Sequence, residues 1–254
     1  MPINEVFPSP TVTKVIFQVR FPNLFYLESR MGEFQLKVMK EFPKSSMALT
    51  RQILIAQGVQ IADGAPLQGN ALPAEVGKVW NFESENGVEL HVTSDSMDLS
   101  STLHKTYNNP NHPNRFRDSI KMALDALNAV APVPVFSRVG LRYIDDCPIP
   151  SLDNNAYRQY YNTTLALGRF SLTDAEEMTH VALVRRGNRN IRIREALRVL
   201  GDKPQLTLDF DAYTVNVEPA NCLAMTDDLH NLVIDEYEQT LREPVFQIMR
   251  KLPQ

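Results

Sequence analysis

Two short pairs of turn residues constrain this chain more than anything else in it. Asn86-Gly87 separates the run Lys78 to Glu85 from Val88 to Ser94, and Gly187-Asn188 separates Thr179 to Arg186 from Arg189 to Val199. Asparagine and glycine accept the positive φ that tight hairpin turns impose, and the primed turns match the right-handed twist of the strands they join. Asn86-Gly87 therefore predicts a type I′ turn. With a hairpin in each half, both halves build antiparallel sheet.

The remaining periodicities fill in around these hairpins. In Val12 to Phe21, Val15, Phe17 and Val19 alternate against Lys14, Gln18 and Arg20, a strand pattern that Pro22 ends. Asn23 is placed to cap a helix with Leu27, Met31, Phe34, Val38 and Phe42 at steps of three and four. A strand is expected from Met47 to Ala56, and a long loop from Gln57 to Glu75, where three glycines and two prolines fall. Met97 to His104 reads as a strand. Asn108 to Asn114 reads as a turn cluster opening a helix on Phe116, Ile120, Leu124 and Leu127, and Val133 to Ile144 as a strand again.

PIPSLDNNAY, from Pro148, reads as a linker. Beyond it come the second hairpin and a strand from Gln205 to Val215. A helix is expected to start at a capping Thr226, with one apolar stripe of Leu229, Val233, Tyr237, Leu241, Val245 and Ile248, and to be split by Pro244 near Arg242. The fold class is α+β, in two lobes of mainly antiparallel sheet covered by helices on one side. Residues 1–149 would form an N-terminal β-α-β-β-β-β-α-β lobe. Residues 150–254 would hold three antiparallel strands and the long kinked helix, whose stripe, if left uncovered, would favour a homo-oligomer.

With 30 acidic against 26 basic residues the chain carries a net charge of −4, so no global positive field draws it to nucleic acid or anionic lipid. Cys147 and Cys222 stand far apart in no metal-binding or redox spacing. The first residues have neither a basic nor an apolar signal region, and no apolar run is long enough to span a membrane. The expectation is a cytoplasmic protein with no membrane association and no cofactor.

Three segments carry a resemblance. PSPTVTKVIFQVRFPN, FSRVGLRYIDDCPIP and LTLDFDAY before a terminal helix are similar to the pattern of a sporadically distributed, uncharacterised bacterial family with an F-x-R-V-G-L-R-Y-I strand motif. The resemblance implies a fold and no activity, cofactor or site residue.

The strongest concentration of charge is VRRGNRNIRIREALR, which puts Arg185, Arg186, Arg189, Arg192, Arg194 and Arg198 on one hairpin. Arg192 and Arg194 share a strand face, with Ile191 and Ile193 on the other. Their guanidinium forks suit phosphates or carboxylates, which makes Arg185, Arg186, Arg189, Arg192 and Arg194 candidate anion-binding residues. The plainer expectation is that these arginines pair with Asp209 and Asp211 on a neighbouring strand. Those two aspartates are in turn the candidate ligands of a divalent metal, with Asp145 and Asp146 as further carboxylates.

A triphosphate-binding basic barrel would also use alternating charges, but Lys14 and Arg20 stand where its acidic N-terminal strand would be. No histidine, serine or cysteine falls in a catalytic spacing, so no residue is assigned a catalytic role. Trp80 and Phe82 alternate as a core pair. The expected function is therefore a non-catalytic binding or regulatory protein acting through a protein partner. The alternatives are nucleic-acid binding by the Arg185 to Arg198 hairpin and a divalent-metal-dependent phosphate-processing enzyme.

Overall fold

A computed structural model of the chain describes residues 6–51, 76–109, 111, 113–149, 151–200 and 203–252. The expected loop from Gln57 to Glu75 lies outside the described residues. In chain order the elements are β1 (Val12–Arg20), α1 (Leu27–Val38), β2 (Lys44–Arg51), β3 (Val76–Glu83), β4 (Val88–Val92), β5 (Ser96–Ser101), α2 (Phe116–Val130) and β6 (Phe136–Cys147). They continue with α3 (Asn154–Tyr160), β7 (Glu177–Arg186), β8 (Arg189–Leu200), β9 (Lys203–Val217), α4 (Cys222–Thr240) and α5 (Glu243–Met249).

The protein is α+β, built on one nine-stranded antiparallel sheet in the order β2-β3-β4-β5-β1-β6-β9-β8-β7. The sheet crosses the expected 149/150 boundary without a break, because β6 pairs with β9 from Phe136 opposite Val217 to Cys147 opposite Leu206. Among the described residues it is open, with edges at β2 and β7, rather than closed into a barrel.

Alternation gives the sheet two unlike faces. On one, Val15, Phe17, Val19, Val139, Leu141, Leu208 and Phe210 are buried. The helices meet this face: Phe34 of α1 packs on Phe82 with ring centroids 5.6 Å apart, and Tyr237 of α4 on Phe210 at 6.0 Å. Trp80 joins Phe82 there, half-buried against the core. Among the described residues no helix is long and apolar enough to cross a membrane.

Local chemistry departs from expectation in three places. The first hairpin is present, but Ser84 and Val88 flank a three-residue loop in which only Gly87 takes positive φ, at 66°. Gly87 N–H bonds the Ser84 carbonyl and Val88 N–H the Ser84 hydroxyl. This is a type I turn closed by a left-handed glycine, favoured over type I′ because the serine hydroxyl supplies an additional acceptor. At the second hairpin Gly187 has φ 65° and Asn188 does not, as in a type II′ turn.

The last four residues of the expected linker, 154–157, open helix α3, since Asp153 accepts hydrogen bonds from Asn155 and Ala156 N–H as an N-cap. Helix α4 begins at Cys222, and Thr226 lies inside it, its hydroxyl bonded back to the Cys222 carbonyl at 2.8 Å. Pro244 does split the terminal helix, between α4 and α5. The stripe of Leu229, Val233, Tyr237, Leu241 and Val245 is buried in its own chain, which removes the ground on which it favoured a homo-oligomer.

Candidate functional site

The face of the sheet opposite the helices is polar, and its centre is a ladder of charge across β6, β9 and β8. Register places Arg142 opposite Asp211 and Ile144 opposite Asp209 on β6, with Arg192 opposite Asp211 and Arg194 opposite Asp209 on β8. The two aspartates therefore have Arg192 and Arg194 opposite them on β8 and Arg142 on β6, with Arg138 further along β6 opposite Val215. They are claimed from the β6 side. Arg142 grips Asp209 with both prongs, Nε to Oδ1 at 2.7 Å and Nη2 to Oδ2 at 2.6 Å, and this bond holds the guanidinium more firmly protonated.

Arg138 donates to Asp211 Oδ1 at 2.6 Å and to Gln18 Oε1 at 2.8 Å, and Gln18 passes the chain on to Asp98 at 2.5 Å. Arg138 can lie along the strand because Gly140 follows it on the same face; a Cβ there would collide with the guanidinium. The Arg138 guanidinium also covers the Tyr213 ring, 4.8 Å from its centroid.

Arg192 and Arg194 are left over. Among the described residues neither has a hydrogen bond or an ion pair, although both lie beside the aspartates expected to neutralise them. The expected pairing of β8 with β9 is correct as register and differs as chemistry. Bidentate capture by Arg142 and the Arg138 relay satisfy the carboxylates first. Exposed Val181 and Leu183 lie opposite Arg194 and Arg192 on β7, and exposed Val215 closes the patch on β9.

The other candidate arginines divide between the faces. Arg185 is on the open face, its Nε donating to the Gly187 carbonyl at 3.0 Å. Arg186 and Arg189 reach α4 on the helix side, Arg186 to Glu236 at 2.9 Å and Arg189 to Asp228 at 3.9 Å. Arg198 pairs with Glu177 at 3.2 Å. As for a metal, Asp209 and Asp211 offer their oxygens to guanidiniums. Asp145 points through the sheet to the helix face, and no group of three or more candidate ligands occurs among the described residues.

Under the helices lies a second set of polar groups, of which only Asp145 figured among the candidates of the sequence. Glu195, fully inside, accepts from the Tyr157 hydroxyl at 3.0 Å, the Thr163 hydroxyl at 2.5 Å, and the Thr164 N–H and hydroxyl at 2.9 Å each. Asp145 is wholly buried, its Oδ1 accepting from the Thr11 hydroxyl at 2.8 Å and its Oδ2 without a partner among the described residues. Burial pushes its carboxyl up to about 7 against the pull of the Thr11 bond, and the charge of Asp209 adds to the rise. His230 lies 3.0 Å from the Tyr143 hydroxyl, and burial lowers it to about 4.

Compared with known proteins, the chain matches no family model, no curated protein and no solved structure.

Proposed function

We propose that this protein is a non-catalytic recognition component that docks an acidic segment of a partner protein on the open sheet face, with Arg192 and Arg194 receiving its carboxylates. The observation that carries this reading is the pair of guanidiniums without an acceptor among the described residues, beside two aspartates already engaged by Arg142 and Arg138. A desolvated carboxylate bound by a guanidinium forms one of the stronger hydrogen-bonded contacts available to a protein surface.

The surroundings favour a polypeptide over a nucleic acid. Val181, Leu183 and Val215 offer apolar contact around the arginines. The Tyr213 ring is covered by Arg138, so the patch presents no stacking platform for a base. A net charge of −4 supplies no long-range attraction to a polyanion.

The test is a titration of two fluorescent probes, a peptide of alternating glutamate and leucine and a single-stranded oligonucleotide of equal length, against the parent chain and an Arg192→Ala/Arg194→Ala variant. The expected result is preference for the peptide and a loss of about tenfold or more in its affinity in the variant, since hydrogen bonds to charged groups contribute about 1.5–3 kcal/mol and exposure reduces that. The melting temperature should be unchanged, because the two side chains make no hydrogen bond or ion pair among the described residues. Tighter binding of the oligonucleotide would transfer the site to nucleic acid. Equal peptide binding by parent and variant, or none by the parent, would remove the reading.

A further inference from the structure

The β7 strand ends the sheet. Among the described residues its hydrogen bonds run only toward β8, including the one in which the Glu176 carbonyl accepts from Val199 N–H. Arg186 and Arg189 flank a two-residue turn and so exchange both hydrogen bonds, and such inward pairs recur at every second residue. The backbone groups of Glu177, Thr179, Val181, Leu183 and Arg185 therefore point outward from the edge. A ten-residue edge with exposed Val181 and Leu183 and no proline is the kind that natural sheets ordinarily cover or blunt.

We infer that a second copy of this chain covers it, by antiparallel pairing of β7 with its two-fold mate. Residues opposite one another must share a face, and outward backbone groups must meet outward groups. Setting Val181 opposite its own symmetry copy satisfies both conditions. Thr179 then comes opposite Leu183, and Glu177 opposite Arg185, at both ends of the seam because the contact is isologous.

The strand is thus complementary in charge to itself, acidic at its start and basic at its end. Among the described residues Arg185 is otherwise hydrogen-bonded only to the Gly187 carbonyl, and the Glu177 carboxylate would lie between Arg198 of its own chain and Arg185 of the mate. On the helix side, a cavity of about 720 Å³ lined by Arg169, Phe170, Glu176, Met178 and His180 opens beside the first half of the strand. It leaves room for the mate's Val184, which this register sets opposite Met178.

Sedimentation at concentrations on the order of 10 µM tests the pairing. The parent should run at twice the chain mass, and Val181→Pro, which removes an outward donor and leaves the β8 pairing intact, should run as a monomer with an unchanged circular dichroism spectrum. Arg185→Glu alone and Glu177→Arg alone should each lose dimer by tenfold or more, since each sets like charges at both ends of the seam. An equimolar mixture of the two should recover it as a heterodimer, with both ends again opposite in sign.

A monomeric parent, a dimer indifferent to Val181→Pro, or a mixture that stays monomeric would overturn the inference. Arg192→Ala/Arg194→Ala should dimerise like the parent, so failure of this inference and failure of the acidic-partner reading are separately visible.

Discussion

Glu195→Ala is expected to lower the stability of the fold by about 3–5 kcal/mol, the largest loss foreseen for any single substitution in this chain. Four donors converge on this one carboxylate, from Tyr157, Thr163 and Thr164, and all of them belong to the segment that crosses over the sheet. Removing the acceptor leaves buried donors dry at about 1–3 kcal/mol each, reduced where hydroxyls rotate or water enters the space. Among the described residues no cation pairs with Glu195, so Glu195→Gln, which keeps one oxygen and turns an amide toward Thr164, should cost less, about 1–3 kcal/mol. Urea unfolding at neutral pH reads both. A midpoint for Glu195→Ala within error of the parent's would show that the segment is held by its apolar residues alone.

The second large effect is on pH. A carboxyl raised to about 7 in the folded chain, against an ordinary value of 3.8, binds its proton more tightly folded than unfolded. Its contribution is complete below about pH 4, is lost as pH rises toward 7, and is flat above that; a shift of this size amounts to about 4 kcal/mol. His230 acts in the opposite sense, since its folded value near 4 lies below the ordinary 6.5 and stability is lost as pH falls through that interval. The parent's profile mixes the two, so the informative quantity is the difference between parent and Asp145→Asn. The variant should gain up to about 4 kcal/mol relative to the parent between pH 4 and pH 8. Parallel profiles across that range would mean that Asp145 does not titrate there.

Much of the architecture could be read from local pattern because local pattern caused it. Both hairpins, the alternation in β1 and the break at Pro244 depend on residues within a few positions of one another. The position of β6 between β1 and β9 depends on pairings across most of the chain, and periodicity is blind to those. That is why the arginines of β8 were expected to neutralise Asp209 and Asp211. The sequence shows Arg138 and Arg142 plainly in FSRVGLRYI, yet only the strand order makes them the nearer claimants.

Glu195 was legible and missed. Continuing the alternation of Ile191 and Ile193 puts it on the buried side with Leu197, and an acid in an apolar row is a signal in itself. The proposed linker failed for a similar reason: two prolines drew attention from Asp153, a helix-starting residue standing directly before Asn154.

The strand order also carries a consequence for how the molecule is made. β1 leaves the ribosome ahead of the other strands of the sheet, yet its neighbours are β5 and β6, and the second of these is followed by the whole hairpin and β9 that complete its other side. At about 5–20 residues per second, Val15, Phe17 and Val19 wait on the order of 10 s for Phe136–Cys147 to emerge, and the sheet is complete only once Lys203–Val217 has followed. A nascent chain stalled before β6 should accordingly be held by chaperones and cut readily by protease, and one released after β9 should resist.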